Sequence, residues 1–517
     1  MASKAATRGR RRNAKGREKK APAVEVAADL PSALPPAAAA ALVFLAAGSV
    51  LVLEILAIRL LAPYTGTTLE TTTSIIGAAL GGIAVGAAVG GYLADRTDTR
   101  RLIVILLIAG GSLALLTVPV VRWLGPGARG DGTLPALGIT FLALVPAAAV
   151  LSAISPAVAH LQLHDLRASG TVVGRLSAWA TAGALIGTFG TGFLLVPLMP
   201  VSTAVLLIGA MLVLIGVGLG ATSRLLAPAA VAGAAILLVA LSAFSASQSS
   251  PCVTETDYHC VGIVTEKANP GGYNLLLDDG YQSFVDPGDP TRLEYVYSKW
   301  VADVVNATKG QKAPLNSITI GGGGFTVPRW IDATHPGSRS LVLELDGGMV
   351  SFLEDRLDLP PPPEFRVVVG DARITMLDVP SDSADFVIGD AYNNHSVPWQ
   401  LTTAEWTAEV KRVLKPDGLY AINVIDFPPL ELLKAEAATL LDAFADVRLV
   451  TFIGEDGRPS GGNAVLFASD RPLPRDARSN AEGATTYNLP SVEWLTGDTD
   501  PLRDDYAPAD QLLTRPD

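Results

Sequence analysis

Cysteine is nearly absent from this 517-residue chain, with Cys252 and Cys260 the only two. Neither a disulfide framework nor a cysteine-based zinc site is therefore available to the fold. Acidic side chains are scarce over residues 1–250, where 9 stand against 18 basic ones, yet over residues 251–517 there are 41 against 21. The net charge of −11 thus conceals two halves of opposite sign. A secretory signal peptide is not expected either, because the first apolar run begins beyond residue 36 and is too long for one. The stretch before that run carries nine Lys and Arg between Lys4 and Lys20 with almost no apolar side chains, and is expected to be disordered. It suits either a topology signal held in the cytosol or a surface attracted to anionic lipid.

What fills the first half is hydrophobicity. Seven segments, approximately 37–61, 72–93, 102–124, 134–159, 177–198, 201–221 and 225–246, are long and apolar enough to span a bilayer. The expected organisation is a basic tail over 1–34 and a multi-span α-helical membrane bundle over 35–247, with the lipid bilayer as its partner. Gly77, Gly81, Gly82, Gly86 and Gly90 in the second span, and Gly183, Gly187 and Thr191 in the fifth, recur at four-residue spacing. Such stripes let helices approach closely. Glu54 and Arg59 in the first span either mark a transport route or form a packing pair near the interface. The flanks carry fifteen Lys and Arg on the side of the tail and only Arg122 and Arg129 on the other. This bias places the N-terminus in the cytoplasm and, with seven spans, everything after residue 247 outside it, where the two cysteines would be free to form a disulfide.

The second half reads as a soluble α/β unit. Runs at 258–264, 273–277 and 282–285, with Pro270-Gly271-Gly272 and Asp278-Asp279-Gly280 as turns, predict a small β-meander within 252–310. From Ser317 onward strands and helices alternate, which predicts a doubly wound α/β sheet over 311–517 with its ligand across the carboxyl ends of the strands. The stretch 317–346 is a βαβ unit. Its first strand breaks at Gly321, Gly322, Gly323 and Gly324, where absent Cβ atoms let the backbone touch a ligand. Its second strand ends on Glu344, about 20 residues later, a spacing at which a carboxylate can accept both hydroxyls of a ribose. The third strand ends in Gly370-Asp371-Ala372 and the fourth in Gly389-Asp390-Ala391-Tyr392. Either aspartate alone could be a helix cap, whereas four successive polar strand ends point to a ligand site.

In order, Asp278 and Gln282, Leu293-Glu294-Tyr295-Val296-Tyr297, the four glycines, Glu344, Asp371, Asp390 and the late Asp504-Asp505-Tyr506-Ala507-Pro508 resemble the spermidine synthase (polyamine aminopropyltransferase) family. The branch resembled is the one fused to a multi-span membrane domain. The resemblance implies a Rossmann-like, class I methyltransferase-type fold that uses decarboxylated S-adenosylmethionine as co-substrate and releases methylthioadenosine after attack by an amine such as putrescine. Carried over, Gly321, Gly322, Gly323 and Ala372 would line the nucleoside, Glu344 would hold its ribose, Asp371 its adenine amino group and Gln282 the sulfur-bearing end. Asp390 would accept the attacking amine's proton and Tyr297 would orient that amine. A polyamine or other amine acceptor and a second copy of the chain are the implied partners, with no metal and no nucleic acid. Three places depart from the family: its Tyr-His-Glu reads Tyr297-Ser298-Lys299, a second amine-binding carboxylate is lost at Gly324, and Asp390 is followed by Ala-Tyr-Asn-Asn-His rather than Ser-x-Asp-Pro. These departures motivate an alternative, a catalytically degenerate nucleoside-binding or structural domain, and a nucleoside cofactor made in the cytosol argues against the external placement. A methyltransferase and a transporter regulated by its soluble domain complete the expectations.

Overall fold

The computed structural model describes residues 34–66, 69–128, 133–163, 169–266, 270–357, 359–360, 362–391, 397–455, 457–489, 495, 497 and 499–514. The basic tail and Tyr392 lie outside the described residues. Among its described residues the first half is helical: α1 Pro36–Thr65, α2 Leu69–Ala94, α3 Thr99–Leu124, α4 Thr133–Ala143, α5 Val145–Ser152, α6 Ile154–Gln162, α7 Ser169–Gly190, α8 Val201–Thr222 and α9 Pro228–Ala246. Among the described residues, seven helical segments are long and apolar enough to cross a membrane, consistent with a multi-pass membrane protein. Large apolar side chains such as Ile186, Phe193 and Ile236 remain on its outer face, as a lipid-facing surface permits.

Glycine sets the closest approaches in the bundle. A Cβ on Gly86 would stand 2.0 Å from the Ala149 carbonyl oxygen, and one on Gly183 would stand 2.1 Å from that of Phe44. The predicted stripe on α2 is really two. Gly82, Gly86 and Gly90 meet α5 and its neighbours, whereas Gly77 and Gly81 face open space, because they fall on a different line of the helix surface. The packing pair expected of Glu54 and Arg59 does not form. Arg59 reaches out of the bundle instead, to the Thr256 carbonyl at 2.6 Å and to that of Asp257.

The second half holds two sheets. Strands β1 Thr254–Glu255, β2 Cys260–Val264, β3 Tyr273–Leu277 and β4 Gly280–Val285 form an antiparallel meander. The larger sheet contains β5 Asn316–Ile320, β6 Arg339–Glu344, β7 Phe365–Val369, β8 Ala384–Gly389, β9 Leu414–Asp426, β10 Asp446–Ile453, β11 Pro459–Ser469 and β12 Thr485–Leu489. Its order is β12-β10-β11-β9-β8-β5-β6-β7. The five strands from β9 to β7 run parallel, and β11, β10 and β12 add antiparallel edges. This is the methyltransferase-like Rossmann arrangement. Helices cover both faces, because parallel strands that are apolar on both sides must be buried on both. Trp300, Val301 and Val305 of α10 Val296–Lys309 pack on Phe386, Ile388 and Phe467. Trp406, Val410 and Leu433 cover the opposite face, on α14 Ala404–Val413 and α15 Glu431–Ala443, numbered after α11 Thr326–Thr334, α12 Gly347–Glu354 and α13 Ala372–Thr375.

Candidate active site

The chain winds β5, β6, β7 outward and then returns to lay β8 on the other side of β5, so the switch point lies between β5 and β8. Their carboxyl ends open into a cleft there, as such topology requires. The ends are pinned level: the Asp390 N–H donates to the Ile320 carbonyl, Gly321 to Leu343 and Gly370 to Glu344, at 2.8–2.9 Å. A cleft of about 340 Å³ runs across them, lined by Gln282, Gly321, Gly323, Glu344, Asp371, Ala372 and Asp390 among others. All nine residues proposed from sequence line this cleft or a smaller one adjoining it, Gly322 and Tyr297 only the smaller.

The meander delivers Gln282. Ser283 Oγ accepts the Gly324 N–H at 2.7 Å and the Thr326 hydroxyl donates to the Phe284 carbonyl at 3.0 Å, so β4 is fixed onto the glycine turn. Gly321 has φ +87°, and a Cβ there would sit 2.6 Å from the Asp390 carbonyl oxygen. Only glycine fits. Gly322 donates its N–H to Glu344, and the other carboxylate oxygen accepts the Asp346 N–H at 2.8 Å. Burial pushes the Glu344 carboxyl up, while these two backbone bonds pull it down. Each oxygen keeps a further lone pair that a ligand could use. Asp371 both lines the cleft and caps α13, accepting the Arg373 N–H at 2.8 Å, so its cap role and its place in the cleft coexist.

Asp390 is not a cap. Its Oδ2 accepts the Tyr297 hydroxyl at 2.7 Å and its Oδ1 accepts the Asn423 amide at 2.9 Å. Burial raises its affinity for a proton, and both hydrogen bonds oppose that rise. The Tyr297 phenol is held well above its ordinary range by burial and then by the adjacent Asp390 charge. Asn423 carried no sequence signal, since an asparagine inside a β-strand resembles any other; its bond from Asn463 at 3.1 Å extends the chain of amides inward. His259 was equally silent. It lines the cleft, and its Nδ1 lies 3.0 Å from Asp278 Oδ2.

Lys299 does not enter the site. It pairs with Glu482 at 2.5 Å and lines neither cleft, because it projects from another face of α10 than Tyr297. Gly324 has no room for a side chain: a Cβ would meet Val285 at 2.3 Å and Ser283 at 2.6 Å. The late Asp504 accepts from Thr403 at 2.7 Å and from Arg373, so it braces the turn that bears Asp371. Among the described residues, no group of three or more His, Cys, Asp and Glu is placed to hold a metal ion.

The family described as a methyltransferase domain matches residues 318–422. The polyamine aminopropyltransferase of Vibrio vulnificus is 25% identical over 299 residues, which cover 54% of this chain and 96% of that protein. The soluble half is spermidine synthase-like. The polyamine aminopropyltransferase of Chromobacterium violaceum is 24% identical over 148 residues, covering 29% of this chain and 56% of its own. A probable spermidine synthase from Corynebacterium glutamicum is 24% identical with a TM-score of 0.45, covering 51% of this chain and 98% of the other. The spermidine synthase-like half thus stands joined to an N-terminal region of long apolar helices.

Proposed function

We propose that the chain is an aminopropyltransferase carried on a membrane bundle, transferring the aminopropyl group of decarboxylated S-adenosylmethionine to an amine acceptor and releasing methylthioadenosine. The observation that carries this reading is the half-buried Asp390 carboxylate, held by Tyr297 and Asn423 where the two clefts meet. An acceptor amine arrives protonated and must lose a proton to attack. Asp390 would bind it as a cation and take that proton, with Tyr297 fixing the direction of approach. The new C–N bond forms as the C–S bond breaks, and the sulfonium leaves as a neutral thioether that needs no acid. Glu344 would hold the ribose, Asp371 the adenine edge and Gln282 the sulfur-bearing end, with Gly321, Gly322, Gly323 and Ala372 walling the nucleoside.

The degenerate-domain alternative rested on Lys299 and Gly324. Against it, Lys299 pairs with Glu482 and lines neither cleft, so it sets no cation against an arriving amine, although neither position supplies a carboxylate. The test is incubation of the purified full chain with decarboxylated S-adenosylmethionine and a panel of amines. Methylthioadenosine is the expected product. Silence with every acceptor overturns the reading, and S-adenosylhomocysteine formed from S-adenosylmethionine would reassign it to methyl transfer. Placement of the soluble half outside the cytoplasmic membrane, which we propose on the charge bias of the flanks and the Cys252–Cys260 disulfide, would set the site apart from a co-substrate made in the cytosol and so weighs against this reading.

A further inference from the structure

A second cavity, of about 230 Å³, lies where the bundle meets the soluble half. The ends of α1 and α3 and the start of α8 form one wall, and the segment closed by the Cys252–Cys260 disulfide forms the other. Two guanidinium groups reach into it. Arg59 gives its terminal nitrogens to the carbonyls of Thr256 and Asp257, and Arg122 gives one of its own to the carbonyl of Gln248. Carbonyls satisfy donors without cancelling charge. The Nε–H of each arginine is buried and has no partner among the described residues. Unsatisfied buried donors on a charged group are costly, and an anion is the ligand that relieves both the charge and the geometry.

The carboxylates that share this cavity are already engaged. Glu255 accepts the Val201 N–H at 2.7 Å, at the positive N-terminus of α8, and Asp278 is bonded to His259 and to the Cys260 N–H at 3.0 Å. The remaining lining is largely apolar, including Ile58, Leu60 and Pro63. A cavity with two arginines that pair with no carboxylate among the described residues, at the end of an apolar bundle, suits a headgroup whose tails lie along the helices.

We propose that this junction cavity is a binding site for a phosphate-bearing anion, held by Arg59 and Arg122 at the end of the bundle. The site is separate from the reaction cleft, although Tyr258 and His259 border both, and it does not depend on the aminopropyltransferase reading.

The test is native mass spectrometry of the detergent-solubilised full chain with phosphatidylglycerol, with diacylglycerol of the same tails, and with inorganic phosphate. Phosphatidylglycerol should be retained at one per chain at least roughly 10-fold more tightly than diacylglycerol, the effect of charge-assisted bonds at a buried site. Arg122→Gln should remove about that factor. Because loss in this variant alone could reflect misfolding, Glu255→Gln supplies the opposite sign. It keeps an acceptor for Val201 while deleting a negative charge, so retention should tighten severalfold. Displacement of the lipid by millimolar inorganic phosphate assigns the site to the phosphate group itself, and resistance to it assigns the site to the intact lipid. Equal retention of phosphatidylglycerol and diacylglycerol without phosphate binding, or a Glu255→Gln variant that binds no tighter than the parent, overturns the proposal.

Discussion

The hydroxyl of Tyr297 donates to Asp390 at 2.7 Å across 93 positions of sequence, joining the first turn of α10 to the end of β8. Burial raises the Asp390 carboxyl, and this bond, with that of Asn423, restrains the rise. Removing either donor should therefore carry the carboxyl further up. In Tyr297→Phe and in Asn423→Leu, the acidic limb of the kcat/KM profile should move to higher pH. A profile that keeps its acidic limb in both variants would remove Asp390 as the titrating base.

Asp390→Asn keeps the shape of the site and deletes the proton acceptor. Turnover should fall on the order of 100-fold or more while methylthioadenosine affinity stays nearly unchanged. Glu344→Gln should do the reverse, weakening methylthioadenosine by roughly 1.5–3 kcal/mol through loss of a charged acceptor. Calorimetry and initial rates on the same preparations separate the two. Equal loss of affinity in both variants would contradict the division of roles.

Gly324 is fixed by space rather than by chemistry. Gly324→Ala should push β4 from the glycine turn and destabilise the soluble half by roughly 1–3 kcal/mol, as overpacking does. Gly324→Asp, which restores the carboxylate of the resembled family, should be no better folded and should not improve an amine's KM. Thermal unfolding and acceptor titrations check the pair.

The His259–Asp278 contact gives stability a pH dependence. Burial works against the imidazolium, but the Asp278 hydrogen bond and charge, with Asp346 and Glu344 nearby, outweigh it and raise the His259 pKa. Its contribution is fully present below the unfolded value of about 6.5 and is lost as pH rises through the higher folded value. Unfolding temperatures of the full chain should fall over that window, and His259→Gln should flatten the slope. An unchanged slope in the variant would rule the pair out as its source.

Topology is tested at the disulfide. After mild reduction of intact cells, a membrane-impermeant maleimide should reach Cys252 or Cys260 if the soluble half lies outside. Labelling that appears only after lysis would return that half to the cytosol.

Sequence alone determined most of the apolar helices and the strand ends, although the fourth expected span, 134–159, is broken into α4, α5 and α6. The apolar runs of the first half have no fold in water other than burial or a bilayer, and the alternation after Ser317, punctuated by Gly321–Gly324, Glu344, Asp371 and Asp390, implied a doubly wound sheet with a ligand across its strand ends but neither its strand order nor β12. These signals are local, carried by periodicity and by residues within a turn of one another. Tertiary structure decided what depends on distant contacts. It drew Tyr297 and Asn423 onto Asp390, turned Lys299 away to Glu482, and gave Arg59 to the Thr256 carbonyl rather than to Glu54. It also left Gly324 no space beside Ser283. No spacing rule encodes these, because each depends on which face a helix or strand presents after the sheet has closed.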